Sequence, residues 1–280
     1  MNEKTIKRRI FNNKLYKIFV FLFSFLSIIP LFLIIYFVLI RGLKYVNLKF
    51  IFSMPKPMGE IGGGIFNAIV GSFIIVGVAA LIAIPIGIIV GIFLSEYKEK
   101  KYTEIVKILV DTLQGIPSIV IGIIAYLWIV KPLKQFSAIS GSIALSFIML
   151  PLVIKSTEEV LNLIPIEIKE AAYAMGVPYH RIVLKILLPS GSVGILTGTL
   201  IGISRILGET APLLFTAFGN QFLNLNLLKP MSTIPYLIYV YATSPYKDWH
   251  NQAFAASTIL IIIVLSINLF GRFMEKKWKT

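Results

Sequence analysis

Cysteine is absent from the 280-residue chain, and histidine appears only twice, as His180 and His250. The first absence removes disulfides, iron–sulfur clusters, thiol nucleophiles and cysteine zinc sites together. The two histidines are far apart in sequence and fall in segments expected on opposite sides of a membrane, so both are read as polar loop residues rather than as a metal site or part of a Ser/His/Asp triad. Charge is scarce as well: 14% of residues are Asp, Glu, Lys or Arg, against about 25% in soluble proteins. The nucleotide-binding pattern G-x-x-x-x-G-K-[ST] does not occur, nor do H-E-x-x-H and G-x-S-x-G. No cofactor and no metal are expected, and energy for any work enters from another chain or from an ion gradient.

What is present is apolar. Hydrophobic residues make up 57% of the chain and its mean hydropathy is +0.85. A net charge of +14 would suggest nucleic acid in a soluble protein. Here the basic residues sit at the ends of long apolar runs, and nucleic acid is not needed to explain them.

A transmembrane helix needs about 20 mostly apolar residues. Six uncharged runs meet that length: Ile18 to Ile40, Ile61 to Ser95, Thr112 to Val130, Gln135 to Ile154, Ile186 to Ser204 and His250 to Gly271. The second is too long for one span, and Gly62-Gly63-Gly64 reads as a turn before a helix from about Ala68 to Leu94. The first exceeds the roughly 7–15 residues of a signal-peptide core and lacks an A-x-A-like cleavage site, so it is read as a retained helix. With a cytoplasmic N-terminus, 18 of the 27 basic residues lie inside and eight outside, leaving Arg205 within a span. The expectation is an all-α polytopic membrane protein with six transmembrane helices and both termini cytoplasmic. Thr210 to Tyr246, punctuated by four prolines and several asparagines, is expected to end span five and form an outer connection, with room for a re-entrant segment or short interfacial helix.

Two regions stand out. Between spans four and five, Lys155 to Lys185 reads as a helix beginning near Pro165, with Ile164, Ile168, Ala171 or Ala172, and Met175 on one face. Gly176 suits the left-handed stop, and Pro178 starts a second helix that enters span five. In span five, Gly194, Gly198 and Gly202 form a small-residue stripe for close helix packing, and the same face continues to Arg205 and Glu209. A charge at mid-bilayer costs about 2.5–3.5 kcal/mol, so this pair is read either as part of a substrate pathway or as an ion pair that neutralises itself. Pro212 removes the hydrogen bond to the Gly208 carbonyl and favours local unwinding there. A guanidinium suits an oxyanion through two parallel hydrogen bonds. Asp111 is read as a cap at the entrance of span three, favoured by the helix dipole.

Glu170-Ala171-Ala172, then three residues, Gly176, nine residues, Ile186, one residue and Leu188-Pro189 resembles the E-A-A-x3-G-x9-I-x-L-P loop of ABC-importer permeases at every named position. The stretch Ser204 to Thr216, containing Gly208-Glu209-Thr210-Ala211-Pro212-Leu213-Leu214-Phe215-Thr216, is similar to the phosphate ABC-transporter permease family, A-type subunit. Gly62-Gly63-Gly64-Ile65, Leu94-Ser95-Glu96-Tyr97 and Gly115-Ile116-Pro117-Ser118-Ile119-Val120 resemble family blocks in the same order, from about Gly42 onward. The resemblance implies the type I ABC-importer permease architecture. Residues 1–60 would hold the N-terminal segment, first helix and outer loop, and 61–280 the permease domain with its coupling loop at 155–189. It also implies a location in the cell (inner) membrane, in contact with lipid. The partners implied are a second homologous permease, two cytoplasmic ATPase subunits and an extracytoplasmic phosphate-binding protein. The chain itself would be no enzyme. Glu170, Ala171, Ala172 and Gly176 would dock the ATPase, and Arg205, Glu209 and Thr210 would line the anion pathway, alternately opened to each side. The alternatives are a gradient-driven secondary anion transporter, for which no inverted repeat is evident, and a sulfate or molybdate ABC permease.

Overall fold

A computed structural model describes residues 3–57, 60 and 62–278, with side chains placed between 9 and 274. Ile61, and the basic side chains of Lys4, Lys7, Arg8, Lys276, Lys277 and Lys279 that entered the orientation count, lie outside the described residues. Among those described no strand forms, and Phe218 and Met231 share one isolated bridge. This follows from the solvent: in lipid each backbone amide needs an internal partner, and a helix supplies it locally.

The chain runs through α1 (Glu3–Gly42), α2 (Leu48–Phe52), α3 (Phe66–Glu96), α4 (Lys101–Gly115), α5 (Ser118–Ala125), a π turn at Tyr126–Val130 and α6 (Lys131–Leu133). It continues through α7 (Ala138–Asn162), α8 (Ile166–Ala174), α9 (Tyr179–Ile182), a second π turn at Val183–Leu187 and α10 (Leu188–Leu207). After α11 (Ala211–Thr216) and α12 (Ile234–Ala242), α13 (Lys247–Trp278) ends the fold. Among the described residues, five helical stretches are long and apolar enough to cross a membrane, and a bent pair, if it is one span, makes six. α7 is the most enclosed of them, packed by α3 and α10, and the main core gathers Ile75, Ala79, Leu145, Met149, Ile206 and Leu213.

α1 is the opposite case. Its side chains are exposed along most of its length, and it meets the body only near its C-terminal end, on α13. There Phe37 and Phe254 lie edge to face at 5.7 Å, and the Arg41 guanidinium stacks on the Phe37 ring at 4.1 Å. The uncharged run Ile18 to Ile40 within α1, with so little protein contact, is solvated by lipid.

Four expectations need correction. Thr112 to Val130 is not one helix: α4 and the α5–α6 segment meet at 102°. Proline disfavours helical geometry in the residue before it, and Ile116 accordingly takes an extended backbone (φ −70, ψ 128) before Pro117. Asp111 caps no helix N-terminus; it lies in the last turns of α4 and pairs with Lys155 at 2.5 Å. Span four does not stop at Ile154 but continues as helix to Asn162, because the charges that follow are neutralised by α4. His180 and His250 are helical rather than loop residues, and His250 Nε2 is 2.6 Å from the Ser244 carbonyl oxygen. The outer connection contains two short helices, α11 and α12, of which Pro212, Leu213, Thr216, Ile234 and Leu237 are buried.

Candidate functional site

α10 carries its three glycines against α7. A Cβ added at Gly194 would come within 2.4 Å of Val160, one at Gly198 within 2.2 Å of Ser156, and one at Gly202 within 3.2 Å of Met149. The glycine backbone of α10 thus lies directly against side chains of α7, the close approach that a small-residue stripe permits. One turn further, α10 ends at Leu207. Gly208 N–H bonds to the Arg205 carbonyl at 3.1 Å and Glu209 N–H to that of Ile206 at 3.3 Å, a tightened last turn. Pro212 has no N–H to offer the Gly208 carbonyl, and the helix restarts only at Ala211. Thr210 precedes this second start; its carbonyl accepts from Leu213 and Leu214 at 3.1 and 3.2 Å.

Arg205 and Glu209 flank the interruption. Their closest approach is Nε to Oε1 at 3.7 Å, with the arginine side chain 49% exposed and the glutamate 17%. This is a single loose contact, not the two-bond fork that makes arginine–carboxylate pairs strong. The guanidinium therefore keeps donors for another anion. Arg205 also lines a small cavity with Gln114, Ile116, Ser118, Ile148 and Leu152, so the side chain in the last turn of α10 borders the break between α4 and α5. α5 and α11 touch directly, since a Cβ at Gly122 would sit 2.6 Å from Pro212 Cα. Neither Gln114 nor Ser118 is among the site residues expected from sequence, although Ser118 stands in the family-like block around Pro117, which was the available signal.

The loop between α7 and α10 has the geometry that its punctuation predicts. Pro165 caps α8, and Gly176 takes φ +73. Gly176 N–H bonds to the Tyr173 carbonyl at 2.9 Å and Val177 N–H to that of Ala172 at 3.1 Å, the paired bonds of a Schellman stop. Ala172 is buried against Leu161, Ile182, Val183 and Leu187. Glu170, Ala171, Ile168 and Met175 are exposed, so the expected apolar face is only partly covered by this chain and leaves a surface for another.

Among the described residues, sequence reasoning missed three ion pairs between helices. Lys107 Nζ meets Glu158 Oε1 at 2.7 Å, Lys155 meets Asp111, and Lys169 of α8 meets Glu96 at the end of α3. The first two were foreshadowed by spacing, since 107 and 111 share a face of α4, and 155 and 158 a face of α7. Among the described residues no group of acidic or histidine side chains is arranged to hold a metal ion.

Residues 83–280 match the family described as the binding-protein-dependent transport system inner membrane component. The chain belongs to this family. It is 40% identical over 269 residues to the phosphate transport system permease protein PstA of Pasteurella multocida, covering 95% of this chain and 96% of that one. The PstA protein of Yersinia pestis is 40% identical over 240 residues, 85% of this chain and 81% of its own. PstA 1 of Mycobacterium tuberculosis (strain CDC 1551 / Oshkosh) is 35% identical over 270 residues, with 95% and 88% covered. Among solved structures, a chain of an inward-facing MetNI methionine ABC transporter superposes with a TM-score of 0.66 at 19% identity, over 76% of this chain and 95% of that one. A chain of a bacterial alginate ABC transporter, solved with its alginate-pentasaccharide-bound periplasmic protein, gives 0.67 at 16% identity over 98% and 96%. At such identities the structures speak for the fold alone, that of the type I ABC-importer permeases. Membership makes the chain a membrane-embedded transport component, not an enzyme, that serves a system with a separate binding protein.

Proposed function

We propose that the chain is the membrane-spanning permease subunit of an ATP-driven importer of inorganic phosphate. The observation that carries this reading is a half-exposed guanidinium at the end of α10, beside the break between α4 and α5 and held by one loose contact, in a chain 40% identical over nearly its whole length to a phosphate transport permease. A permanently charged fork inside a membrane protein attracts an oxyanion, and its cost in lipid is relieved when that anion arrives. Glu209 holds the fork between arrivals, and Thr210 lies at the restart of the chain beside it. The unwound backbone at Gly208–Thr210 leaves polar groups facing the same path.

The work is supplied from below. α8 presents Glu170 and Ala171 to a cytoplasmic ATPase, while Ala172 and Gly176 anchor and stop the helix. Two such ATPase subunits, a second homologous permease and an extracytoplasmic phosphate-binding protein complete the assembly, with both termini of this chain cytoplasmic. Alternating access then moves the anion past Arg205. Arg205→Gln in the assembled importer, tested by uptake of radiolabelled phosphate into cells or vesicles, should abolish uptake while the complex still co-purifies. Uptake at the unaltered rate by that variant overturns the assignment.

A further inference from the structure

The nine residues of α8 meet the rest of the chain along one side. Ala172 enters the apolar cluster at the corner of α7 and α9. Three residues earlier, on the same face, Lys169 crosses to Glu96, the last residue of α3 and 73 positions away in sequence. Their side chains are 18% and 12% exposed, the most enclosed of the three ion pairs tying the cytoplasmic ends of the helices together. Burying two charges is costly, and such a pair adds little stability over an apolar contact; what it supplies is a fixed geometry. The flanking residues Glu167 and Glu170 are exposed. A groove of about 750 Å³ opens beside the pair, between residues 97–100 and α8.

We propose that Glu96 and Lys169 are positioning residues that lock the coupling helix to the end of α3, so that α3 moves with α8 when the ATPase engages it. The proposal rests on the reading of α8 as the ATPase-docking helix. Through Ala172 a displacement of α8 reaches the end of α7; through Lys169 it reaches α3. α3 and α7 lie close enough that a Cβ at Gly91 would come within 2.5 Å of Thr157, and tightly packed helices of this kind shift together. Both attachments are therefore needed for α8 to carry the α3–α7 pair without twisting one helix past the other. When Glu96 is neutralised, Lys169 turns into the open groove and is hydrated, so α8 loses its hold on α3 while the fold survives.

The test uses the complete importer in membranes with four variants of this chain: Glu96→Gln, Lys169→Met, the exchange Glu96→Lys with Lys169→Glu, and the conservative Lys169→Arg. The readouts are ATPase co-purification, phosphate moved per ATP hydrolysed, and hydrogen–deuterium exchange of amides 166–174. The single neutral variants should keep the ATPase bound, transport at least about threefold less phosphate per ATP, and exchange faster in 166–174. Lys169→Arg should behave as the unaltered chain, and the exchange variant should recover more than half of the lost coupling. Unchanged transport per ATP in both neutral variants, with unchanged exchange, overturns the proposal. So does loss of ATPase binding equal to that of a disrupted α8, because the pair would then hold the docking surface and not its link to α3. If the unaltered complex moves no phosphate, the substrate reading has failed, and the pair is still decided by ATP hydrolysis and the exchange measurement.

Discussion

α7 is held in two different ways on two sides. α10 sets Gly194, Gly198 and Gly202 against the side chains of Val160, Ser156 and Met149, and α3 sets Gly91 against that of Thr157, so that an added carbon would clash at Gly194, Gly198 and Gly91 and fit only tightly at Gly202. α4, by contrast, buries only Thr103 and Val110 of its 15 residues and is fastened to α7 by Lys107–Glu158, Asp111–Lys155 and a small apolar contact of Val106 and Val110 with Leu150 and Ile154. Close packing tolerates one arrangement. Ion pairs near a water boundary have modest net strength, answer to salt and re-form in a second geometry. The contrast marks α3, α7 and α10 as a body and α4 as an attached arm, whose far end is the bend beside Arg205.

The sharpest break of that comparison is on the packed side. Gly198→Leu forces several carbons into Ser156 and should cost more than about 3 kcal/mol, read as loss of the protein from the membrane fraction; Ser156→Gly in the same chain should restore part of it. Normal accumulation of Gly198→Leu would show that α10 and α7 slide freely. On the ionic side, Glu158→Gln leaves Lys107 without its buried partner. With Lys107 38% exposed and able to reach water, the expected cost is about 2 kcal/mol. The variant should accumulate normally, unfold at lower temperature and transport more slowly, and adding Lys107→Met should recover part of the loss. Gly176→Val places a β-branched residue at φ +73 with no neighbouring atom within 4 Å of its Cβ, so its cost of about 1 kcal/mol is confined to the backbone. Less ATPase should co-purify, while the unfolding temperature hardly moves. The smallest effect is expected for Asp111→Asn, whose carboxylate is 57% exposed: under about 1 kcal/mol, vanishing in high salt when stability is followed against ionic strength.

Apolar runs located the helices because lipid imposes a length that composition reveals. The α8 loop was equally legible, since Pro165, Gly176 and Pro178 act through local backbone geometry. What escaped depends on partners distant in sequence. Lys155 and Glu158 read as the start of a loop when taken alone, and only α4, at Lys107 and Asp111, makes them interior to a helix. The bend at Ile116–Pro117 was hidden for a different reason: an unbroken apolar run records solvent preference and is silent about direction. For Arg205 and Glu209, sequence showed two charges on one helical face but not the 3.7 Å contact or the cavity shared with Gln114 and Ser118.

The first turn of α7 has a consequence for the order in which the protein is made. Its N-terminal amides are satisfied by the connection between α11 and α12: Ser137 N–H by the Thr216 carbonyl at 3.0 Å, Ala138 by Lys229 at 3.0 Å and Ile139 by Leu227 at 2.9 Å. A ribosome reaches Lys229 about 90 residues after Ser137, roughly 5–20 s later. During that interval the first turn of α7 is unfinished, with three donors waiting for a stretch of chain that does not yet exist.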